Sequence, residues 1–185
     1  GATVEEVIAF GQDAQAKLDS VQNGEERIAD LKKLLKEQDR ILHDLCAQLT
    51  ESRRSIAAEF ERALLAQLRD LGMQRTQFRV EFKALEKPCA DGMDQLEFMI
   101  SPNPGEPLRP MAQIASGGEL SRIMLAIKTI AMHVDGVDTM IFDEIDTGIS
   151  GHIAQVVAEK MASIARYHQV LCVTHLAQIA AMADT

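Results

Sequence analysis

The chain has 185 residues, 46% of them hydrophobic and 25% charged, with a net charge of −9 spread over both halves. This is an ordinary globular composition, and its acidic balance excludes a basic nucleic-acid footprint within the chain itself. No stretch approaches the roughly 18 uncharged apolar residues of a membrane span, and no signal-peptide pattern is recognisable. Three scattered cysteines (Cys46, Cys89, Cys172) suit a reducing cytoplasm rather than a disulfide framework or a zinc site. Aromatic residues are only 4% with no Trp, which disfavours a base-stacking surface.

Residues 1–71 contain no proline and predict helix. A first segment carries Val4, Val7, Ala14, Leu18 and Val21 at helical spacing and is expected to break at Asn23-Gly24. A second carries Ile28, Leu31, Leu35, Leu42, Leu45, Leu49 and Ile56, with Gln38 and Ser52 in the skipped seam positions. The seam then shifts to Phe60, Leu64, Leu68 and Leu71, the pattern of a stutter in a heptad repeat. Some forty-odd residues at about 1.5 Å each make a rod of roughly 65 Å, longer than a small domain is wide. Its apolar stripe needs a partner, and a coiled-coil arm meets that need better than a helical bundle filling its own core.

After Gly72 the period changes to two. "QFRVEFKAL" alternates Phe78, Val80 and Phe82 with polar residues, and "QLEFMIS" alternates Leu96, Phe98 and Ile100 across a turn-rich "KPCADGMD", so a β-hairpin is expected. "SPNPGEPLRP" holds four of the five prolines and reads as a stiff connector, neither helix nor central strand. Then follow a predicted helix over 117–134, a buried strand over 139–142, a helix over 151–167, a strand over 170–173 and a last helical stretch from about Leu176. Strand, helix, strand at this spacing is a right-handed parallel crossover. The expected fold is α/β, parallel strands with helices plus a hairpin, behind a long helical arm, with residues 1–71 as the arm and 72–185 as the lobe. Two parallel strands make only part of a sheet.

Three places carry chemistry. In "ASGGELSR", Ser116 and Glu119 form a capping box, which alone explains them. The box does not explain Gly117-Gly118 in the first turn, where glycine weakens a helix. Two glycines there bare backbone N–H groups at the positive helix end, and with a serine hydroxyl these suit a phosphate. In "TMIFDE", Asp143 could be a loop cap and Glu144 a solvated carboxylate. Together at a strand mouth they fit a division of labour, with Asp143 in a Mg²⁺ shell and Glu144 polarising an attacking water. His175 follows "VLCVT" directly, either as a surface cap or as part of the ligand edge of an open α/β sheet.

"SGGEL", "IFDEIDTGISG" and "CVTH" stand in the order and spacing of the signature, Walker B, D-loop and switch-histidine motifs of ABC-type ATPases. The longer strings "ISPNPGEP…IASGGELSRIMLAIK", "FDEIDTGISG" and "CVTHLAQIA" resemble the SMC-related branch that serves bacterial double-strand-break repair, over essentially the whole chain. The resemblance implies a returning arm plus the C-terminal lobe of an ATPase head. The phosphate-binding loop and its lysine would lie in an absent N-terminal lobe, so this piece alone would be inactive. ATP and Mg²⁺ are the implied ligands. Ser116, Gly117 and Gly118, with Glu119 closing the signature, would meet the γ-phosphate held by a second head. Asp146 would line that dimer interface near the nucleotide, and His175 would sense the γ-phosphate. Glu119 stands where transporters usually carry glutamine, which argues against transport.

Implied partners are the N-terminal lobe, a second head in an ATP-dependent homodimer, and DNA through the assembled protein, in a bacterial cytoplasmic, nucleoid-associated setting without a membrane. Two other readings remain open: a coiled-coil scaffolding module, and an ATPase of chromosome organisation. The acid pair speaks against the first and the proline-rich connector against the second. The basic pair Arg53-Arg54 reads as a solvated helix face rather than a DNA contact.

Overall fold

A computed structural model describes residues 3–103, 105–134 and 136–184. The chain divides into two compact units, residues 1–50 with 87–93, and residues 51–86 with 94–185.

Helix α1 runs from Val4 to Asp70 without interruption. The expected break at Asn23-Gly24 does not occur. Asn and Gly together cost on the order of 1–2 kcal/mol in a helix, and a helix already propagating on both sides tolerates that. In the first unit the apolar stripe of α1, from Val4 to Leu49, is uncovered: Leu35 is 70% exposed and Leu18, Ile28, Leu31 and Leu42 are exposed too. Among the described residues no helical bundle covers that stripe. The same unit contains the tip of the hairpin.

The second unit is built on the last turns of α1. Leu64, Leu68 and Leu71 are fully buried, and Phe60 packs against the same core. The seam shift in the sequence thus marks where the helix stops offering its stripe to the outside and starts burying it. Gly72 at φ +80° ends the helix, and Met73 N donates back to Leu68 O at 2.9 Å. Strands β1 (Gln77–Cys89) and β2 (Gly92–Ser101) form the expected hairpin, longer than the alternating runs alone suggested. Phe60, Phe78 and Phe98 interlock with ring centroids 5.5–5.9 Å apart, locking α1 to both strands. Glu61 accepts from Val80 N at 2.7 Å on β1, an edge strand of its sheet. Arg53 pairs with the buried Asp94 at 2.9 Å, and Arg54 lies 5.7 Å over the Phe82 ring. Arg53 is therefore committed to this packing, contrary to the reading as a solvated face, whereas Arg54 stays exposed as that reading expects.

The proline-rich connector turns the chain back onto the sheet. Its short strand β3 (Arg109–Pro110) pairs antiparallel with Met99 and Ile100 of β2, at the sheet edge where proline's missing N–H is tolerated. A 3₁₀ turn (Met111–Gln113) leads to α2 (Gly117–Ala131), β4 (Thr139–Phe142), α3 (Gly151–Ala165), β5 (Gln169–Cys172) and α4 (Ala177–Ala180). β4 and β5 pair in parallel, as the crossover predicts. The helices end two or three residues earlier than periodicity indicated, as expected where apolar spacing outlasts the hydrogen-bond ladder. Met140 and Phe142 face the core of α2 and α3, whereas Ile141, Leu171 and Val173 on the other face are exposed.

Two leucines of α1 test this division. Leu68→Ala should destabilise the chain by about 2–5 kcal/mol through the cavity it leaves. Leu35→Ala should change stability by less than about 0.5 kcal/mol. Denaturant unfolding followed by circular dichroism separates the two outcomes.

Candidate functional site

The parallel register Thr139↔Gln169 to Phe142↔Cys172 brings the carboxyl ends of β4 and β5 to one edge. β4 runs directly into Asp143, and beyond β5 the chain continues through Val173, whose N–H donates to Phe142 O at 3.0 Å, to Thr174 and His175. The N-terminus of α2 lies against the same edge. Ser121 Oγ donates to Asp143 O at 2.7 Å. Ser116, in extended conformation, caps α2 by accepting from Glu119 N at 3.4 Å. The structure therefore brings Ser116–Glu119, Asp143, Glu144, Asp146 and His175 into one region.

The two glycines have a packing reason of their own. A Cβ on Gly117 would overlap the Glu144 carboxylate. On Gly118 it would come within 2.9 Å of Thr147 Cβ and 3.0 Å of Glu144 O. The glycines thus let the first turn of α2 sit directly on the turn that carries the acids. Ser116 and Gly117 remain exposed while Gly118 is buried.

The three acids occupy three environments. Asp143 is exposed, and its Oδ1 accepts from Glu144 N at 2.9 Å. Glu144 is the one non-glycine residue at positive φ among those described, at 57°. A left-handed glutamate costs roughly 1–2 kcal/mol, and such outliers persist only where the surroundings hold them. Asp146 is buried, only 3% exposed. Its Oδ2 accepts from Thr174 Oγ at 2.5 Å and from His175 N at 2.9 Å, and lies 3.1 Å from His175 Nδ1. Burial by itself would raise the Asp146 pKa. The hydrogen bonds from Thr174 and His175 and the histidine charge outweigh it and hold the carboxyl below its ordinary value. His175 keeps its side chain largely in solvent. Burial and the nearby charges of Asp146 and Asp143 push the Cys172 thiol up, so it stays protonated and unreactive.

Ser121, Arg122 and Thr174 were not singled out from the sequence. Arg122 is 8% exposed, and its Nη1 donates to Thr147 O at 2.8 Å and Ile145 O at 3.4 Å. Burial lowers its pKa, the Glu119 charge acting the other way, yet a guanidinium remains a cation. The signal was in the helix period. Gly118, Arg122, Leu125 and Ala126 share one buried face, so an arginine stood where apolar residues were expected.

Among the described residues no three His, Cys, Asp or Glu side chains are grouped to hold a metal ion. A Mg²⁺ ion that keeps waters and phosphate oxygens needs only one or two carboxylates. The exposed Asp143 at the strand mouth supplies a hard oxygen of this kind.

No family model matches the chain. By fold it is α/β of the SMC-head type with a long helical arm. It matches the Smc head domain with a coiled coil and joint from Pyrococcus yayanosii at a TM-score of 0.64 and 19% identity, over 100% of this chain and 34% of that one. In sequence it is similar throughout its length to proteins named DNA repair protein RecN. The relative from Halalkalibacterium halodurans is 44% identical over 189 aligned residues, that from Treponema pallidum 41% over 193 and that from Bacillus subtilis 38% over 200. Each match takes in the whole chain, which spans about a third of the relatives' length and corresponds to their C-terminal part.

Two measurements follow from this geometry. Gly118→Ala should cost about 1–3 kcal/mol by overpacking the seat of α2, seen as a lowered midpoint of chemical denaturation. Asp146 has a folded pKa below its ordinary 3.8. Its contribution to stability is therefore fully present above that value and is lost as pH falls through the lowered one. The stability gap between wild type and Asp146→Asn should be present at about pH 5 and close on further acidification through the lowered value.

Proposed function

We propose that the full-length protein is an ATP-hydrolysing, SMC-like protein of double-strand-break repair and recombination. This chain contributes its signature, Walker B, D-loop and switch-histidine segments. Residues 1–71 serve as a coiled-coil arm and 72–185 as the C-terminal lobe of the head. The observation that carries the reading is the meeting of three sequence-distant segments at one strand edge: the glycine start of α2, the acids after β4 and His175 after β5. A scaffolding lobe has no need of both Asp143 and Glu144 at such an edge.

In this reading Ser116, Gly117 and Gly118 present amides and a hydroxyl to a phosphate carried by a second head, with Glu119 within the same first turn. Support comes from the exposure of Ser116 and Gly117 at the positive end of a fifteen-residue helix. Asp143 holds Mg²⁺ with the nucleotide, which neutralises phosphate charge when bound. Glu144 takes the proton of the attacking water, Asp146 orients the His175 segment, and His175 responds to the γ-phosphate. The lysine and amide cradle that position the phosphates would come from the N-terminal lobe, so the isolated chain is expected to be inactive. The exposed Ile141, Leu171 and Val173 support such a lobe, since a parallel sheet is stable with both faces covered. DNA would be engaged by the assembled protein in the bacterial cytoplasm, at the nucleoid.

The test uses the full-length protein. Glu144→Gln should retain ATP and Mg²⁺ binding and lose turnover by about 10²–10⁴-fold, because the amide keeps the shape but cannot accept a proton. It should also accumulate as an ATP-bound head dimer. Asp143→Asn should instead raise the Mg²⁺ concentration required. Single-turnover assays with labelled ATP, run beside sizing measurements, report both. Wild-type turnover by Glu144→Gln would remove Glu144 from the catalytic role.

A further inference from the structure

The acid turn has five successive carbonyls, Asp143 to Thr147, and each has a hydrogen-bond donor. Two are met within the turn: Glu144 O accepts from Thr147 N at 3.0 Å, and Asp146 O from Ile149 N at 3.3 Å. The other three are met by α2. Asp143 O accepts from Ser121 Oγ at 2.7 Å, while Ile145 O and Thr147 O accept from the single Arg122 Nη1 at 3.4 and 2.8 Å. Adjacent residues of α2, one turn beyond the glycine pair, therefore hold alternate carbonyls of the segment on which Asp143 and Glu144 stand.

A residue in the left-handed region keeps that conformation only if its neighbours impose it. Glu144's own carbonyl is held by Thr147 N, and the carbonyls of the residues on either side, Asp143 and Ile145, are those met by Ser121 and Arg122. Arginine suits the task because it stays charged when buried and offers rigid donors to more than one acceptor. Lysine offers a point charge on a flexible stem. Arg122 touches no carboxylate of the acid pair in any hydrogen bond or ion pair among the described residues, so whatever it does for those acids passes through the backbone.

We propose that Ser121 and Arg122 are positioning residues that set the direction of the Asp143 and Glu144 carboxylates by holding the turn's carbonyls. The proposal rests on the ATPase reading above. It also makes the glycine start of α2 and the acid turn one mechanical piece, so that contact at Ser116–Gly118 bears on the acids.

The experiment uses full-length protein carrying Arg122→Met, Arg122→Lys or Ser121→Ala, with Glu144→Gln alongside. Arg122→Met keeps the buried stem and removes the donors. It should lower kcat by about 10- to 100-fold, the scale of a misplaced catalytic group, with KM for ATP within about twofold. Arg122→Lys should recover part of the loss. Hydrogen exchange should rise over 143–149 and stay unchanged over β5 and α3. A wild-type kcat in Arg122→Met, or faster exchange spread over the whole lobe with kcat per folded molecule unchanged, overturns the proposal. If Arg122→Met does not fold, Ser121→Ala decides: a several-fold fall in kcat at constant KM supports positioning, and wild-type kinetics refute it. If Glu144→Gln turns over at the wild-type rate, the ATPase assignment fails. The exchange result then judges the hold on the turn by itself, with protection of 143–149 unchanged in Arg122→Met counting against it.

Discussion

The structure turns on how closely the start of α2 can approach the turn after β4. Two glycines remove the Cβ atoms that would strike Glu144 and Thr147. Each glycine costs about 1 kcal/mol of helix stability relative to alanine. That cost is offset locally by the Ser116 cap and by the bonds of Ser121 and Arg122 to the turn. Once α2 is seated, the end of β4 is held, and Asp146 follows it inward to hold the end of β5 through Thr174 and His175. The edge at which the functional groups gather is thus assembled from one side to the other by short polar contacts, each relying on the one before.

Two apolar surfaces stand uncovered, and they have different geometry. The stripe of α1 up to Leu49 has the seven-residue spacing that suits another helix. The outer face of β4 and β5, with Ile141, Leu171 and Val173, is flat and suits a layer laid across a parallel sheet. Exposed apolar area of both kinds is unfavourable at about 25 cal/mol per Å², and the stripe and the sheet face differ in the shape of cover each would accept.

Much of this was legible in the sequence, for physical reasons that differ by element. β4 and the hairpin were readable because burial on one or both faces forces alternating or continuous apolar runs. The strand-end position of Asp143 followed from that at once. The Asn23-Gly24 break was misjudged because local propensity is small beside propagation from both sides. The shift to Phe60, Leu64 and Leu68 was visible, but periodicity cannot say whether a changed seam meets a second helix or the chain's own core. Arg53 illustrates the same limit: its partner Asp94 lies forty-one residues away, and no local pattern announces a pair of that separation. Arg122 could have been noticed as a charge on an apolar face. What it donates to could not, because backbone carbonyls leave no trace in residue identity.

The three acids between Asp143 and Asp146 show how a short stretch yields unlike groups from like residues. Burial and donors decide the difference. Asp143 faces solvent, with one oxygen steadied by a neighbouring amide, so it can exchange water for a cation at little cost. Glu144 takes an unusual backbone angle, and among the described residues no hydrogen bond holds its carboxylate, which suits the proton transfer proposed for it. Asp146 has given up solvent for two hydrogen-bond donors and a histidine ring nitrogen 3.1 Å away, and a carboxylate so satisfied is a poor base and a good brace. His175, not Asp146, therefore presents the polar side chain at that end of the edge, and Asp146 fixes the backbone from which the imidazole projects. At that end of the edge the histidine backbone donates to a buried acid, just as at the other end the acid turn accepts from a buried arginine.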